Sequence, residues 1–180
     1  MIASARIRLR APTIVDAPEL AAEGNDREVS AGLCDHFPHP YTVDDALRFV
    51  ETVQAQTGPR RQFIVEVDGE VAGVAGLLLG SGVYRLNAEL SYWLGRRFWG
   101  RGIMTHVIGR LVDLGWDDFE VDRLFARVFG VNTASLRVLE KNKFRVEAHV
   151  SDVIIKRGRV VDEVTLGLRR PADRPPPRRR

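Results

Sequence analysis

The chain has 180 residues, 44% hydrophobic and 28% charged, which suits a single soluble globular domain with room for a sizeable core. No apolar run approaches the roughly 20 residues of a membrane-spanning helix, the first ten residues lack the apolar stretch of a signal peptide, and the lone Cys34 cannot close an internal disulfide while no Cys/His cluster has zinc spacing; a cytoplasmic protein without a metal site is expected. The net charge is +3, but the segment from Arg169 on carries six arginines against one aspartate, a balance of +5, so residues 1–168 stand at about −2; the basic character belongs to a proline- and arginine-rich tail (169–180), expected to be disordered, and a nucleic-acid partner, which calls for a basic face on the folded body, is disfavoured.

In chain order, Ile7-Arg8-Leu9-Arg10 alternates apolar and basic residues and predicts a short strand. Thr13 with Asp16 three residues later reads as a helix start, opening a helix over about 14–25. Residues 26–41, which include His36, Phe37, Pro38, His39 and Pro40, are expected to form a long loop of the kind that often carries function. Thr42 with Asp45 begins a second helix with an apolar face at Val43, Ala46, Leu47, Val50 and Val53, ended by Gly58-Pro59. Strands over 62–67 and 70–79 flank the hairpin signal Asp68-Gly69. The second of them is almost wholly apolar and so central.

After the turn Gly80-Ser81-Gly82, a strand over 88–94 places Glu89, Ser91 and Trp93 on one face and Ala88, Leu90, Tyr92 and Leu94 on the other. A helix over about 102–119 carries Met104, Val107, Ile108 and Leu111 at helical spacing. A buried strand, Leu124–Phe129, follows. Asn132 then caps a helix running to Lys141 or Asn142, and 145–155 with 159–168 form a closing hairpin about Arg157-Gly158. The elements make one domain over 1–168, with no repeat and no internal boundary.

Two stretches carry chemistry. Between Leu94 and the helix start lies Leu94-Gly-Arg-Arg-Phe-Trp-Gly-Arg-Gly102. Gly100 and Gly102 allow close approach of a ligand to the backbone, the helix N-terminus offers roughly half a positive charge, and Arg97 and Arg101 can add to it. A diphosphate is a natural guest. A Walker loop would need Gly-Lys-Ser/Thr, and a Rossmann loop a third glycine where Thr105 stands; neither is present. By itself the pattern also fits an ordinary strand–helix turn. The second stretch starts a helix with Asn132 and Ser135 three residues apart, on one side of its first turn; alone, it also fits a cap and a solvated serine.

Taken together, these stretches resemble the GCN5-related N-acetyltransferase (GNAT) superfamily, and within it the RimJ/RimL-like ribosomal-protein alanine acetyltransferase branch. The resemblance rests on Tyr92-Trp93-Leu94-Gly95, on Trp99-Gly100-Arg101-Gly102-Ile103-Met104-Thr105, and on Asn132, Ser135, Glu140-Lys141 and Phe144. Leu9-Arg10, Pro38-His39-Pro40-Tyr41-Thr42 and Gly158 with Asp162 also fit, so it spans about 6–168. It implies an α+β fold: a mostly antiparallel, twisted sheet of six or seven strands with four helices, in which the strands ending at Leu94 and Phe129 are parallel neighbours that splay apart around acetyl-CoA.

The resemblance also implies roles. Backbone N–H groups from Gly100, Arg101, Gly102, Ile103, Met104 and Thr105 would bind the pyrophosphate, with Trp99 heading that cofactor-binding stretch. Backbone groups of Trp93 and Leu94 would pair with the pantetheine amides, and Asn132 and Ser135 would hold the thioester end. An acceptor amine, a protein N-terminus or a small amine, would attack directly. Many superfamily members protonate the departing thiolate with a tyrosine whose position is Leu139 here, so Ser135 becomes the candidate donor. Glu89 is the candidate base, against a plain reading as an ion-paired strand residue. Asp35, His36, His39, Asp162 and Glu163 are weaker alternatives. Phe37, Tyr41 and Trp93 either shape the acceptor pocket or simply pack. Lys143 stands where the family ends this helix with glycine, so either Lys143 or Asn142 must turn left-handed. A non-catalytic acyl-CoA-binding sensor is the competing function, and a homodimer is compatible with the resemblance.

Overall fold

The computed structural model describes residues 5–55 and 60–174. Seven strands and five helices follow one another along these residues: β1 (Ile7–Arg10), α1 (Ala17–Gly24), α2 (Arg27–Ala31), α3 (Val43–Gln54), β2 (Arg60–Val67), β3 (Glu70–Leu79), β4 (Asn87–Leu94), α4 (Ile103–Asp118), β5 (Arg123–Phe129), α5 (Thr133–Lys141), β6 (Arg145–Lys156) and β7 (Arg159–Arg169). Short 3-10 turns precede α1, β4 and α4. The sheet is mixed, in the order β1-β2-β3-β4-β5-β7-β6. β1 runs antiparallel to β2, and β7 lies antiparallel to both β5 and β6. β4 and β5 are parallel, paired at Asn87 with Arg123, Ala88 with Leu124 and Glu89 with Phe125. Each strand continues past the last of these pairs, to Leu94 and Phe129.

The fold class holds, with one addition. The segment expected to be a continuous loop over 26–41 contains a fifth helix, α2. Its start is set by Asp26, whose carboxylate accepts from the backbone N–H groups of Glu28 and Val29, an N-cap that supplies the orphan donors of a first turn. At five residues, α2 is too short to show the apolar periodicity that betrays longer helices. The cap read from sequence at Thr42/Asp45 forms, whereas at Thr13 the Asp16 carboxylate accepts from the Thr13 N–H and hydroxyl over a three-residue 3-10 turn, and α1 itself starts at Ala17. Gly58-Pro59, expected to end α3, lies outside the described residues.

The chain divides into two units that interleave in sequence, which is why no linear boundary is visible in it. The first takes the described residues up to Gly76 together with Tyr92–Val107; the second takes Leu77–Ser91 and the described residues from Ile108 on. In the first unit Ala17, Leu20, Ala21, Tyr41, Ala46, Val50, Ile64, Val71 and Val74 form the core. Buried Asp16 anchors α1 there: its carboxylate accepts from the Arg10 guanidinium at 2.6 and 2.9 Å and from the backbone N–H of Thr13 at 2.7 Å, as a buried charge requires.

In the second unit Leu111, Leu124, Leu139, Phe144 and Leu166 are buried. Here α5 ends in a Schellman motif: Phe144 N–H donates to the Leu139 carbonyl and Lys143 N–H to that of Glu140. Lys143 takes the left-handed conformation, at φ 69°.

The end of the chain departs from expectation. Residues 169–174, assigned from composition to a disordered tail, are fastened down. Arg169 completes β7. The Arg170 side chain, 5% exposed, donates to the carbonyls of Trp116, Phe119 and Val121 at 2.8–3.0 Å, and Arg174 pairs with Asp113 and Asp117 on α4. Composition counted these arginines as unpartnered charge; the carbonyls at the end of α4 and the acids along it are their partners. Residues 175–180 lie outside the described residues.

Candidate active site

The loop from Leu94 to Thr105 belongs to the first unit. Gly100 and Gly102 both sit at positive φ, 71° and 74°, a region closed to most side chains. A Cβ at Gly100 would have nothing within 4 Å, so the backbone there is open to an incoming group. α4 begins at Ile103 and runs for 16 residues, so its first-turn N–H groups and dipole face the loop. The Ile103 and Met104 side chains are buried; only their backbone is available to a ligand, and methionine in place of a smaller residue leaves that backbone intact. Trp99 is 44% exposed and turns its indole N–H back onto the Leu94 carbonyl at 2.8 Å. That bond closes the loop and takes one acceptor position on a carbonyl expected to serve pantetheine.

The arginines divide. Arg101 is exposed, its guanidinium 5.7 Å from the Phe98 ring. Arg97, expected to add charge for phosphate, instead donates to Glu23 at 2.6 Å and Glu70 at 2.5 Å. Its proton is held more tightly than usual, chiefly through the Glu23 hydrogen bond. Sequence reasoning missed this pairing because Glu23 and Glu70 lie on α1 and β3, far away in the chain.

Also in the first unit, Phe37 stacks on Tyr41 with ring centroids 4.3 Å apart and planes 5° from parallel, and Trp93 meets Phe37 edge-on at 5.4 Å. Gly24 makes room for the pair, since a Cβ there would fall 2.8 Å from the Tyr41 ring. Asn25 ties the segment back by accepting from Tyr41 N–H at 3.1 Å. Tyr41 is a core residue, only 6% exposed; burial pushes its hydroxyl up to about 12, with nearby Asp45 adding to the shift. Phe37 and Trp93 are partly exposed. Asp35, His36, His39 and Cys34 are exposed on the same segment.

In the second unit, Asn132 caps α5 as expected, its side-chain oxygen accepting from Ser135 N–H at 3.1 Å. Both residues are half-buried. Glu89 is gripped by Arg127, whose Nε and Nη2 donate to its two carboxylate oxygens at 2.9 and 3.1 Å. The sequence held a signal for this partner: Arg123, Phe125 and Arg127 alternate on one face of β5, two residues beyond the Glu89–Phe125 pair. Asp162 accepts from the Asp152 N–H at 3.1 Å and meets His149 Nε2 at 2.6 Å; these contacts, the His149 bond foremost, hold its carboxyl below the usual range. Among the described residues no group of three or more His, Cys, Asp and Glu side chains is placed to hold a metal ion, and no helix is long and apolar enough to cross a membrane.

A strand, a glycine turn at positive φ and a long helix, followed by a parallel strand and an Asn-capped helix, is the order that the resemblance implied. The profile of the acetyltransferase (GNAT) domain matches residues 6–145. The chain belongs to the GNAT acetyltransferase family. It is a GNAT-family N-acetyltransferase, and enzymes of that family use acetyl-CoA as the acyl donor.

It is 27% identical over 167 residues to the uncharacterized N-acetyltransferase p20 of Bacillus licheniformis, covering 91% of this chain and 92% of that one. It is 26% identical over 114 residues to the spermidine N(1)-acetyltransferase of Escherichia coli K12, covering 63% and 61%. Among solved structures, the RimL ribosomal L7/L12 α-N-protein acetyltransferase in complex with coenzyme A superposes with a TM-score of 0.82 at 21% identity, covering 91% of this chain and 93% of that one. It shows the shared fold.

Proposed function

We propose that this GNAT enzyme transfers the acetyl group of acetyl-CoA to a primary amine by direct attack, with the loop 99–105 binding the donor's pyrophosphate. The observation that carries the reading is the pair of glycines at positive φ, Gly100 and Gly102, at the N-terminus of α4, with the space beside Gly100 open. Anions bind there because unpaired N–H groups and the helix dipole act together. By the family resemblance, Trp93 and Leu94 address the pantetheine, and Asn132 and Ser135 the thioester end. Ser135 gives the departing thiolate its proton, and Glu89 takes the proton that the attacking ammonium must lose. Phe37 and Trp93 supply the exposed part of an aromatic wall for the acceptor.

The acceptor classes are polyamines, which the E. coli relative's name supports, and protein N-terminal α-amines, which fit the RimJ/RimL-like branch and its structural likeness. Both arrive as cations, in keeping with a carboxylate as base. The test is release of CoA thiol from acetyl-CoA in the presence of spermidine, spermine and peptides with N-terminal alanine or serine. Acetylation of at least one acceptor, confirmed by mass, is expected. Tight acetyl-CoA binding with no acetylated amine across the panel would favour the sensor module.

A further inference from the structure

We propose that Glu23 and Arg97 are positioning residues that set the diphosphate loop in its binding shape, a role that rests on the acetyl-CoA reading above. The loop enters at Gly95, whose N–H donates to the Ala72 carbonyl of β3 at 2.8 Å. The Glu23 carboxylate of α1 fills the space where a side chain at Gly95 would stand; a Cβ there would fall 1.9 Å from Oε2. The other carboxylate oxygen of Glu23 accepts from Arg97 Nε at 2.6 Å. The guanidinium lies 4.3 Å from the centre of the buried Phe98 ring. One turn earlier on α1, Glu19 accepts from Val71 N–H at 2.9 Å and fixes the helix to β3. The Trp99 indole then closes the loop on the Leu94 carbonyl.

The loop is therefore pinned at its entrance by a carboxylate and an arginine, both outside the glycine segment that meets the ligand. Arg97 directs its charge to Glu23 and orders the loop. Glu70 shares Arg97 but is 57% exposed, against 14% for Glu23. Arg97 is 52% exposed in either pair, and a pair exposed at both ends contributes little; what sets Glu23 apart is its burial against Gly95. Holding backbone donors in place before the ligand arrives lowers the ordering cost of binding.

The test is calorimetric titration of CoA into the intact protein and its Glu23→Gln, Arg97→Gln, Glu70→Gln and Glu23→Gln/Arg97→Gln variants, with the unfolding temperature of each. Glu23→Gln and Arg97→Gln should each weaken CoA roughly tenfold, and the double variant no more than the weaker single, as expected of one shared interaction. Glu70→Gln should bind within about twofold of the parent. A purely structural role would lower the unfolding temperature and leave the affinity of the folded protein unchanged. Parent-like CoA affinity in Glu23→Gln overturns the positioning role and leaves the cofactor reading standing; no CoA binding by the parent overturns the cofactor reading, and this role with it. Should Glu23→Gln fail to fold, Arg97→Lys decides: it keeps the charge, loses the planar fork, and should bind several-fold more weakly, whereas parent-like affinity would overturn the proposal.

Discussion

Arg127 holds Glu89 in a two-point grip, Nε to Oε1 at 2.9 Å and Nη2 to Oε2 at 3.1 Å. A carboxylate bound to a guanidinium on both oxygens keeps a second lone pair on each with which to take a proton from an amine. If Glu89 is the base, Glu89→Gln should lower kcat by about a hundredfold or more and leave acetyl-CoA affinity nearly unchanged. Steady-state kinetics at saturating donor, beside a CoA titration, measure this. An unchanged kcat and pH–rate profile would leave Glu89 as a structural ion pair only.

The strap at the chain end is tested by Arg170→Ala. Its buried guanidinium donates to three backbone carbonyls at and beyond the end of α4, and removing it takes those hydrogen bonds away, at a cost of about 3 kcal/mol. For a chain of this size that lowers the unfolding temperature by roughly 6–12 °C. Scanning calorimetry of the variant checks it; an unchanged midpoint would mean that water replaces the side chain at no cost.

How legible the sequence was depends on the range of the interaction concerned. Local signals survived: Thr42 with Asp45 and Asn132 with Ser135 make the caps expected of them, and the helix ending at Lys143 turns left-handed at one of the two residues anticipated. Such features are fixed within four residues. What escaped was set at long range. Arg97 reads as a phosphate ligand until α1 and β3 bring Glu23 and Glu70 to it, and Arg170 and Arg174 read as a solvated tail until α4 meets them. The helix α2 escaped for the opposite reason, being too short for any period to show. Phe37 and Tyr41 could be placed together, but their stacking and the burial of Tyr41 follow from Gly24, seventeen residues before Tyr41.

Lys143 carries a measurable cost. A non-glycine residue in the left-handed region loses about 1 kcal/mol relative to glycine. Lys143→Gly should therefore stabilise the protein by roughly 0.5–1 kcal/mol, read by urea unfolding, with acetyl-CoA affinity unaltered. Destabilisation would mean that the lysine side chain makes a contact worth more than the strain.

Asp16 predicts a dependence on pH. Burial raises its pKa, but hydrogen bonds from Arg10 and Thr13 outweigh that, and the net value lies below the ordinary carboxylate range. A depressed folded-state pKa adds stability that is fully present above the unfolded value, ~4, and is lost as pH falls through the folded one. Asp16→Asn should thus be about 2 kcal/mol less stable than the parent near neutrality, the gap closing in acid. A gap independent of pH would assign the effect to packing.

The cofactor loop is the centre of the account, and titration of acetyl-CoA into the parent and a Gly102→Asp variant tests it most directly. At φ 74° aspartate is tolerated better than most residues, so the variant should fold, but it sets a side chain and a negative charge beside the backbone donors meant for pyrophosphate. Binding should weaken by roughly a hundredfold or more, about 2.7 kcal/mol, with the unfolding temperature lowered only slightly. Parent-like affinity in a folded Gly102→Asp protein would contradict the placement of the donor's diphosphate on this loop.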